Sequence, residues 1–256
     1  MKIAIITGAS SGMGQEFVRQ LDKKCLGLDE FWLIARREES MKELEGTTKA
    51  KLKYIPMDLR KDDYTPLQKE LKQKKPQIKI LVNCAGYGKT GPFLNILEED
   101  NTGMIELNCA ALTRVTYQVL PYMTKNSYII NLASSAAFLP QPDFAVYAAT
   151  KSYVLSFSRA LRREVRSRGI WVSAVCPGPV NTPFFSIAEE TGSPFALKKF
   201  FMAKKEKVVA QAIRESFAKK EVITHGISMK CLHGLGKLLP QRITLDIYGK
   251  LLRNIR

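Results

Sequence analysis

Residues 3–24, IAIITGASSGMGQEFVRQLDKK, decide the fold. Ile3 to Ile6 is an apolar run of the length of a short buried strand, Thr7 to Gly14 is a glycine-rich turn, and an amphipathic helical pattern then continues through about Lys24. A strand that turns through glycines into a helix leaves backbone N–H groups free and points the positive end of the helix dipole outward, which makes an anion site suited to phosphate. Glycines also serve tight turns for steric reasons alone. What gives these their meaning is their place in the first strand-to-helix turn, with the spacing Gly8-x-x-x-Gly12-x-Gly14.

A second stretch, Asn131 to Lys151 (NLASSAAFLPQPDFAVYAATK), carries the chemistry. Ser134 follows the apolar run Tyr128 to Ala133, which reads as a buried strand, so its hydroxyl emerges at the strand's carboxyl end, where open α/β sheets keep their ligands. Tyr147 and Lys151 are four residues apart and share one face if residues 144 to 168 are helical, as their pattern predicts. A tyrosine working as a proton donor and acceptor near neutrality needs its pKa lowered by about 3 units, or roughly 4 kcal/mol, and an ammonium ~4 Å away supplies about that. Of the nine tyrosines only Tyr147 has a lysine four residues on. Such a pair also occurs on ordinary helices, so its meaning rests on the other motifs.

Those motifs occur in a fixed order. Thr7-Gly8-x-x-x-Gly12-x-Gly14 is followed by Asn83-Cys84-Ala85-Gly86, by Ser134 thirteen residues before Tyr147, and by Pro177-Gly178-Pro179-Val180-Asn181-Thr182. From residue 3 to about 185 the chain resembles the short-chain dehydrogenase/reductase family, with its TGxxxGxG, NAG, Ser and Tyr-x-x-x-Lys marks. The resemblance implies a Rossmann-like α/β fold: one domain with a doubly wound, parallel seven-stranded sheet. It also implies a catalytic set of Ser134, Tyr147, Lys151 and Asn108, the last through a backbone carbonyl that holds a relay water; an asparagine in mid-helix also serves simply to bond a neighbouring strand. The activity implied is NADP(H)-dependent interconversion of a ketone and a secondary alcohol. The alternative is a protein that binds the nucleotide as a sensor or scaffold without turnover, which would need neither Ser134 nor Tyr147.

The nucleotide site implied by the resemblance comprises Gly8, Ser10, Ser11, Gly12, Met13 and Gly14, with Asp58 and Leu59 at the adenine. It continues through Asn83, Ala85, Gly86, Tyr147 and Lys151 to Pro177, Gly178, Val180 and Thr182. The second strand, Phe31 to Ala35, ends in Arg36-Arg37 where an acid would favour a free 2′-hydroxyl; two arginines suit a 2′-phosphate and favour NADP(H) over NAD(H). Against this, Ser11 stands where NADP-preferring relatives often carry a basic residue. Exposed charge at the start of a helix is the plainer reading of the arginine pair.

The 256 residues show no linker, repeat or low-complexity tract. Nothing in MKIAIITG is long enough for a signal peptide's apolar region, and no run of about eighteen apolar residues occurs, so a cytoplasmic protein is expected. Five cysteines without CxxC pairing and two histidines make no metal-ligand spacing, and the cysteines read as reduced core residues. The net charge is +16, and from Lys198 onward fourteen Lys and Arg face four Asp and Glu.

Residues 181–207, with Phe184, Phe185, Phe195, Phe200, Phe201 and Met202, stand where relatives place a substrate lid. Their aromatics point to an apolar substrate of the hydroxysteroid, bile-acid or fatty acyl carbonyl kind; some of them serve equally as core. Residues 227–256 form a basic amphipathic extension broken at Pro240, which either packs on the domain or a partner subunit or seats on an anionic membrane surface. The alanines of residues 144–168 suit helix-to-helix docking in a homodimer or homotetramer. No stacking platform or helix-turn-helix pattern supports a nucleic-acid partner.

Overall fold

The first strand, β1 (Lys2–Thr7), sends Ile3 and Ile5 to one side of a sheet and Ala4 and Ile6 to the other, all fully buried. A strand buried on both faces reads as a continuous apolar run because helices cover both sides. The computed structural model describes residues 1–24, 27–189, 202–238, 240, 242, 243, 245 and 246. Its strands β2 (Glu30–Ala35), β3 (Lys51–Pro56), β4 (Gln77–Asn83), β5 (Met123–Leu132), β6 (Ile170–Cys176) and β7 (Val222–Thr224) join β1 in one parallel sheet of order β3-β2-β1-β4-β5-β6-β7. The order reverses between β1 and β4, and a crevice opens there at the strands' carboxyl ends.

Nine helices are described: α1 (Gly12–Lys24), α2 (Glu38–Lys42), α3 (Thr65–Lys74), α4 (Glu98–Ile105), α5 (Leu112–Val119), α6 (Ala145–Val165), α7 (Phe184–Ala188), α8 (Lys205–Phe217) and α9 (Ile227–Leu238). Leu67 and Leu71 of α3, Val115 and Val119 of α5, and Leu161 and Val165 of α6 pack with Ile3, Ile5, Trp32 and Ile34 on one face. On the other, Phe17, Val18 and Leu21 of α1, Met41 of α2, and Val209 and Ile213 of α8 pack with Ile6, Phe31 and Leu33. Each aliphatic side chain so buried is worth about 1.5–3 kcal/mol, so these two layers, more than helix propensity, hold the frame.

The expected doubly wound architecture is present, with three departures. The helix expected to carry Asn108 is present but irregular: a π-helical segment, Glu106–Ala111, joins α4 to α5 and widens its middle, and a 3₁₀ turn at Leu120–Tyr122 ends it. Pro121, which cannot donate a backbone hydrogen bond, sits in that turn. Strand β5 therefore starts at Met123, five residues before the apolar run; its register against β4 shifts between Ile78 and Ile80, and Asn126 takes a left-handed φ of 62° in the irregular part. Among the cysteines, Cys231 is exposed on α9 rather than in the core, and Cys25 lies outside the described residues. Of the alternatives for residues 227–256, the described helix α9 takes packing on the domain: His233 stacks on Phe138 at 4.4 Å, and a Cβ on Gly236 would meet the Phe138 carbonyl at 2.8 Å.

Candidate active site

The glycine turn opens one end of a long cleft. Gly8 (φ +69°) and Gly12 (φ +56°) take left-handed backbone conformations that favour glycine. A Cβ on Gly8 would lie 2.8 Å from the Ala85 nitrogen, so the first turn and the Asn83–Gly86 segment approach backbone to backbone. Thr7 Oγ1 fastens them by accepting from the N–H groups of Cys84 and Ala85, both at 3.1 Å. The first turn of α1 carries no acidic side chain. These features form a cradle for an anion at a helix N-terminus. The cleft runs on past Arg36 and Arg37, both exposed at the end of β2, to Asp58, Leu59 and Arg60 after β3. The Asp58 carboxylate accepts from the Arg60 N–H at 3.0 Å and pairs with its guanidinium at 3.5 Å; burial works to raise its pKa, but these Arg60 bonds hold it below the ordinary value. A glycine turn without side chains, two exposed arginines and the Asp58 carboxylate along one cleft fit a phosphorylated dinucleotide.

A second, largely apolar cleft adjoins the first, and Met13, Cys84, Gly86, Thr182 and Phe184 line both. Ser134, Tyr147 and Lys151 line this second cleft together with Thr90, Leu132, Gln141, Phe144 and Pro177 to Val180. The Ser134 hydroxyl bonds Tyr147 and accepts from the Ala136 N–H at 3.2 Å. Phe144 stacks on the Tyr147 ring at 4.2 Å and Phe184 tilts against it at 5.4 Å. Gly88 makes room for the ring, since a Cβ there would stand 2.7 Å from Tyr147 Cδ2. Lys151 Nζ donates to the Leu132 carbonyl at 2.8 Å, at the end of β5.

The electrostatics differ from the expectation of a tyrosine acidified by its lysine. Lys151 Nζ is 5.6 Å from the Tyr147 ring centroid and spends a hydrogen bond on Leu132, and burial pushes the Tyr147 phenol up to about 12 although the Ser134 bond works to lower it. Burial likewise brings Lys151 down to about 8, with the thiols of Cys84, Cys109 and Cys176 as its neighbours. In the protein by itself Tyr147 is therefore a protonated donor, and the lysine is a cation held at a cost.

The remaining expected residues of the nucleotide site fall into three groups. Gly8, Ser10, Ser11, Gly12, Met13, Arg36, Arg37, Asp58, Leu59, Ala85, Gly86 and Thr182 line the long cleft. Pro177, Gly178 and Val180 line the second cleft instead. Gly14 and Asn83 line neither: Gly14 packs on the Gly8 carbonyl, and Asn83 is buried, donating to Thr116 Oγ1 at 3.0 Å and Asn131 Oδ1 at 2.9 Å. Asn108 sits in the π segment behind Gly86, with its side-chain amide on the Tyr87 backbone at 3.1 and 2.9 Å. The middle of the expected lid, residues 190–201 with Phe195, Phe200 and Phe201, lies outside the described residues. Its described start, α7, is tied to the loop after Gly88 by Thr90, whose N–H and hydroxyl both donate to the Ala188 carbonyl at 2.9 and 3.0 Å. Phe144, Thr90 and Thr150 carried no sequence signal of their own, because a motif records chemistry and not what packs around it. Among the described residues no cluster of three metal-ligating side chains occurs, and no helix is long and apolar enough to cross a membrane.

Parallel order, glycine cradle and adjoining reactive cleft define a nucleotide-dependent oxidoreductase of the Rossmann type. The sequence pattern described as short chain dehydrogenase matches residues 2–192, and the chain belongs to the short-chain dehydrogenase/reductase family, an enzyme family of oxidoreductases. It is 34% identical over 199 residues to a very-long-chain 3-oxoacyl-CoA reductase of Rattus norvegicus, covering 73% of this chain and 62% of that protein. It is 31% identical over 185 residues to an uncharacterized oxidoreductase of Staphylococcus epidermidis, covering 71% of this chain and 79% of that protein. A short-chain dehydrogenase from Sphingobium yanoikuyae, solved in complex with NADPH, superposes with a TM-score of 0.75 at 25% identity, covering 94% of this chain and 97% of that one. The chain thus spans about three-fifths of the length of the rat reductase.

Proposed function

We propose that the chain interconverts a ketone and a secondary alcohol on an apolar substrate, with NADP(H) as the redox partner. The observation that carries this reading is that Ser134, Tyr147 and Lys151 line one apolar cleft which shares a wall with the glycine-cradled cleft. When bound, the nicotinamide supplies or accepts the hydride. The protein's residues do the rest. Gly8 to Met13 hold the pyrophosphate, Arg36 and Arg37 receive a 2′-phosphate, and Lys151 holds the nicotinamide ribose. Ser134 orients the substrate oxygen, to which Tyr147 gives its proton in reduction and from which it recovers it in oxidation. Asn108 holds the loop beside the nicotinamide, as the paired bonds to Tyr87 support.

Phe144, Phe184, Phe185, Val180 and Leu132 make the substrate cleft apolar, and the likeness to a 3-oxoacyl reductase favours a fatty acyl carbonyl over a hydroxysteroid or bile-acid-like ketone. In this reading residues 181–207 close over the cleft as a lid, and α9 of the 227–256 extension backs its wall, with Met229 packed by Gly178. Lys230 and Arg242, exposed beyond that packing, are what a peripheral contact of this cytoplasmic enzyme with an anionic membrane would use. Copies of the chain pair as a homodimer or homotetramer through α6 and its neighbours.

The test is a fluorescence titration of the purified protein with NADPH and NADH, then turnover of 3-oxoacyl, steroid and small ketones with the better binder. Tight NADPH binding with fastest reduction of an apolar ketone supports the reading; no binding of either nucleotide overturns it.

A further inference from the structure

We propose that Thr150 is a positioning residue, whose hydroxyl fixes the Tyr147 turn of α6 against the glycine loop 86–88 through a one-way chain of hydrogen bonds from Asn108. The proposal rests on the assignment of Tyr147 as the proton donor.

The direction of the chain follows from donor and acceptor counting. The Tyr87 N–H can only donate, so the Asn108 oxygen must face it, as it does at 3.1 Å. That orientation leaves the Asn108 Nδ2 group with two protons, one given to the Tyr87 carbonyl at 2.9 Å and the other to Thr150 Oγ1 at 3.0 Å. Thr150 Oγ1, having accepted, gives its own proton to the Tyr147 carbonyl at 2.7 Å. Asn108 is 1% and Thr150 3% exposed, so the bond between them has no water as a substitute partner. Remove the hydroxyl and an amide proton and a carbonyl lone pair are left facing each other in a dry interior.

Position matters here because both reactive side chains touch the same loop. A Cβ on Gly88 would stand 2.7 Å from the Tyr147 ring, and one on Gly86 would stand 3.3 Å from Lys151 Nζ and 2.8 Å from Asn108 Oδ1. Tyr147 therefore has no slack against Gly88, Lys151 Nζ stands beside the space that Gly86 leaves open, and the Asn108–Thr150 bond is a polar tie that sets how far α6 stands from the loop. Thr150 touches neither cleft, so its role is exerted through Tyr147 and Lys151.

The experiment compares Thr150→Val, which keeps the shape, with Thr150→Ser, which keeps the hydroxyl. Reduction by NADPH of the ketone that the unaltered enzyme turns over fastest is followed across pH, and hydrogen exchange is read at the Tyr87 amide without nucleotide. Thr150→Val is expected to lose about tenfold to a hundredfold in kcat with KM changed less than about threefold, as for a lost bond that leaves a buried partner unpaired. Its pH–rate profile shifts, and its Tyr87 amide exchanges faster. Thr150→Ser restores all three. Thr150→Val with unaltered kcat, Thr150→Ser as impaired as Thr150→Val, or a loss confined to KM overturns the proposal. Should Thr150→Val not fold, Thr150→Ala removes the hydroxyl without bulk and carries the same expectations. Full turnover in Tyr147→Phe defeats the underlying reading instead, which keeps the two failures distinct.

Discussion

Replacing Lys151 by methionine should make the protein without nucleotide more stable while ending its activity. Lys151 is 5% exposed, and its neighbours are thiols rather than a carboxylate, so the folded protein confines a cation without a counter-charge. A fall in pKa from 10.5 to about 8 corresponds to about 3 kcal/mol of penalty on the charged form. Methionine also abandons the bond to the Leu132 carbonyl, which returns about 1–2 kcal/mol of that gain. The net is a stabilisation of about 1–2 kcal/mol at pH 7, or a few degrees in Tm at roughly 2–4 °C per kcal/mol for a chain of this size. The sign with pH is fixed by linkage. Below about pH 8 folded and unfolded chains both carry the proton and the penalty is complete; between 8 and 10.5 the unfolded chain binds more protons, so wild-type stability rises with pH; above 10.5 the penalty is gone. Urea unfolding of both proteins, followed by tryptophan fluorescence between pH 7 and 10, measures the difference, in which all shared titrations cancel. An advantage for Lys151→Met that shrinks as pH rises is the expected result. A methionine variant less stable at pH 7, or a difference that does not change with pH, refutes the reasoning.

Gly88→Ala should reduce turnover by about tenfold or more while leaving nucleotide affinity nearly unchanged, because its methyl would press the Tyr147 ring at 2.7 Å and the Phe184 and Phe144 rings at 3.0 and 3.1 Å; stopped-flow turnover beside a nucleotide titration checks it. Arg36→Ala should weaken NADPH binding by about tenfold to a hundredfold, the worth of a charge-assisted bond, and NADH binding little. Equal weakening of both nucleotides in the fluorescence titration would count against the 2′-phosphate assignment.

The frame was readable because its signals are local. Ile3 to Gly14 holds a strand, a turn and a helix start within twelve residues, and the strand built on it lies inside the sheet, paired on both edges by β2 and β4. Residues 123 to 127 hid the start of β5, since Thr124, Lys125, Asn126 and Ser127 carry neither alternation nor an apolar run, and their pairing depends on an irregular register with β4. The π segment around Asn108 was equally silent: its residues are ordinary helix formers, and the widened turn accompanies tertiary bonds to Tyr87 and Thr150. That Ser134, Tyr147 and Lys151 meet in one cleft could be expected from the four-residue spacing of Tyr147 and Lys151 on a helix and from the family resemblance, which singles out Ser134. Their electrostatics could not, because sequence gives the four-residue spacing of Tyr147 and Lys151 but not the Leu132 carbonyl that draws the lysine away. The amphipathic tail likewise showed an apolar face without showing what covers it, and Phe138 and Gly178 belong to segments far away in sequence.

The most direct test of the central claim is turnover by Tyr147→Phe, measured with NADPH and an apolar ketone at saturating concentrations of both. Phenylalanine keeps the packing against Phe144 and Phe184 and removes only the hydroxyl. The account predicts NADPH affinity within about twofold of wild type and kcat lower by about a hundredfold to ten-thousandfold, the worth of a positioned proton donor. A variant that binds NADPH and reduces the ketone at the wild-type rate would contradict it.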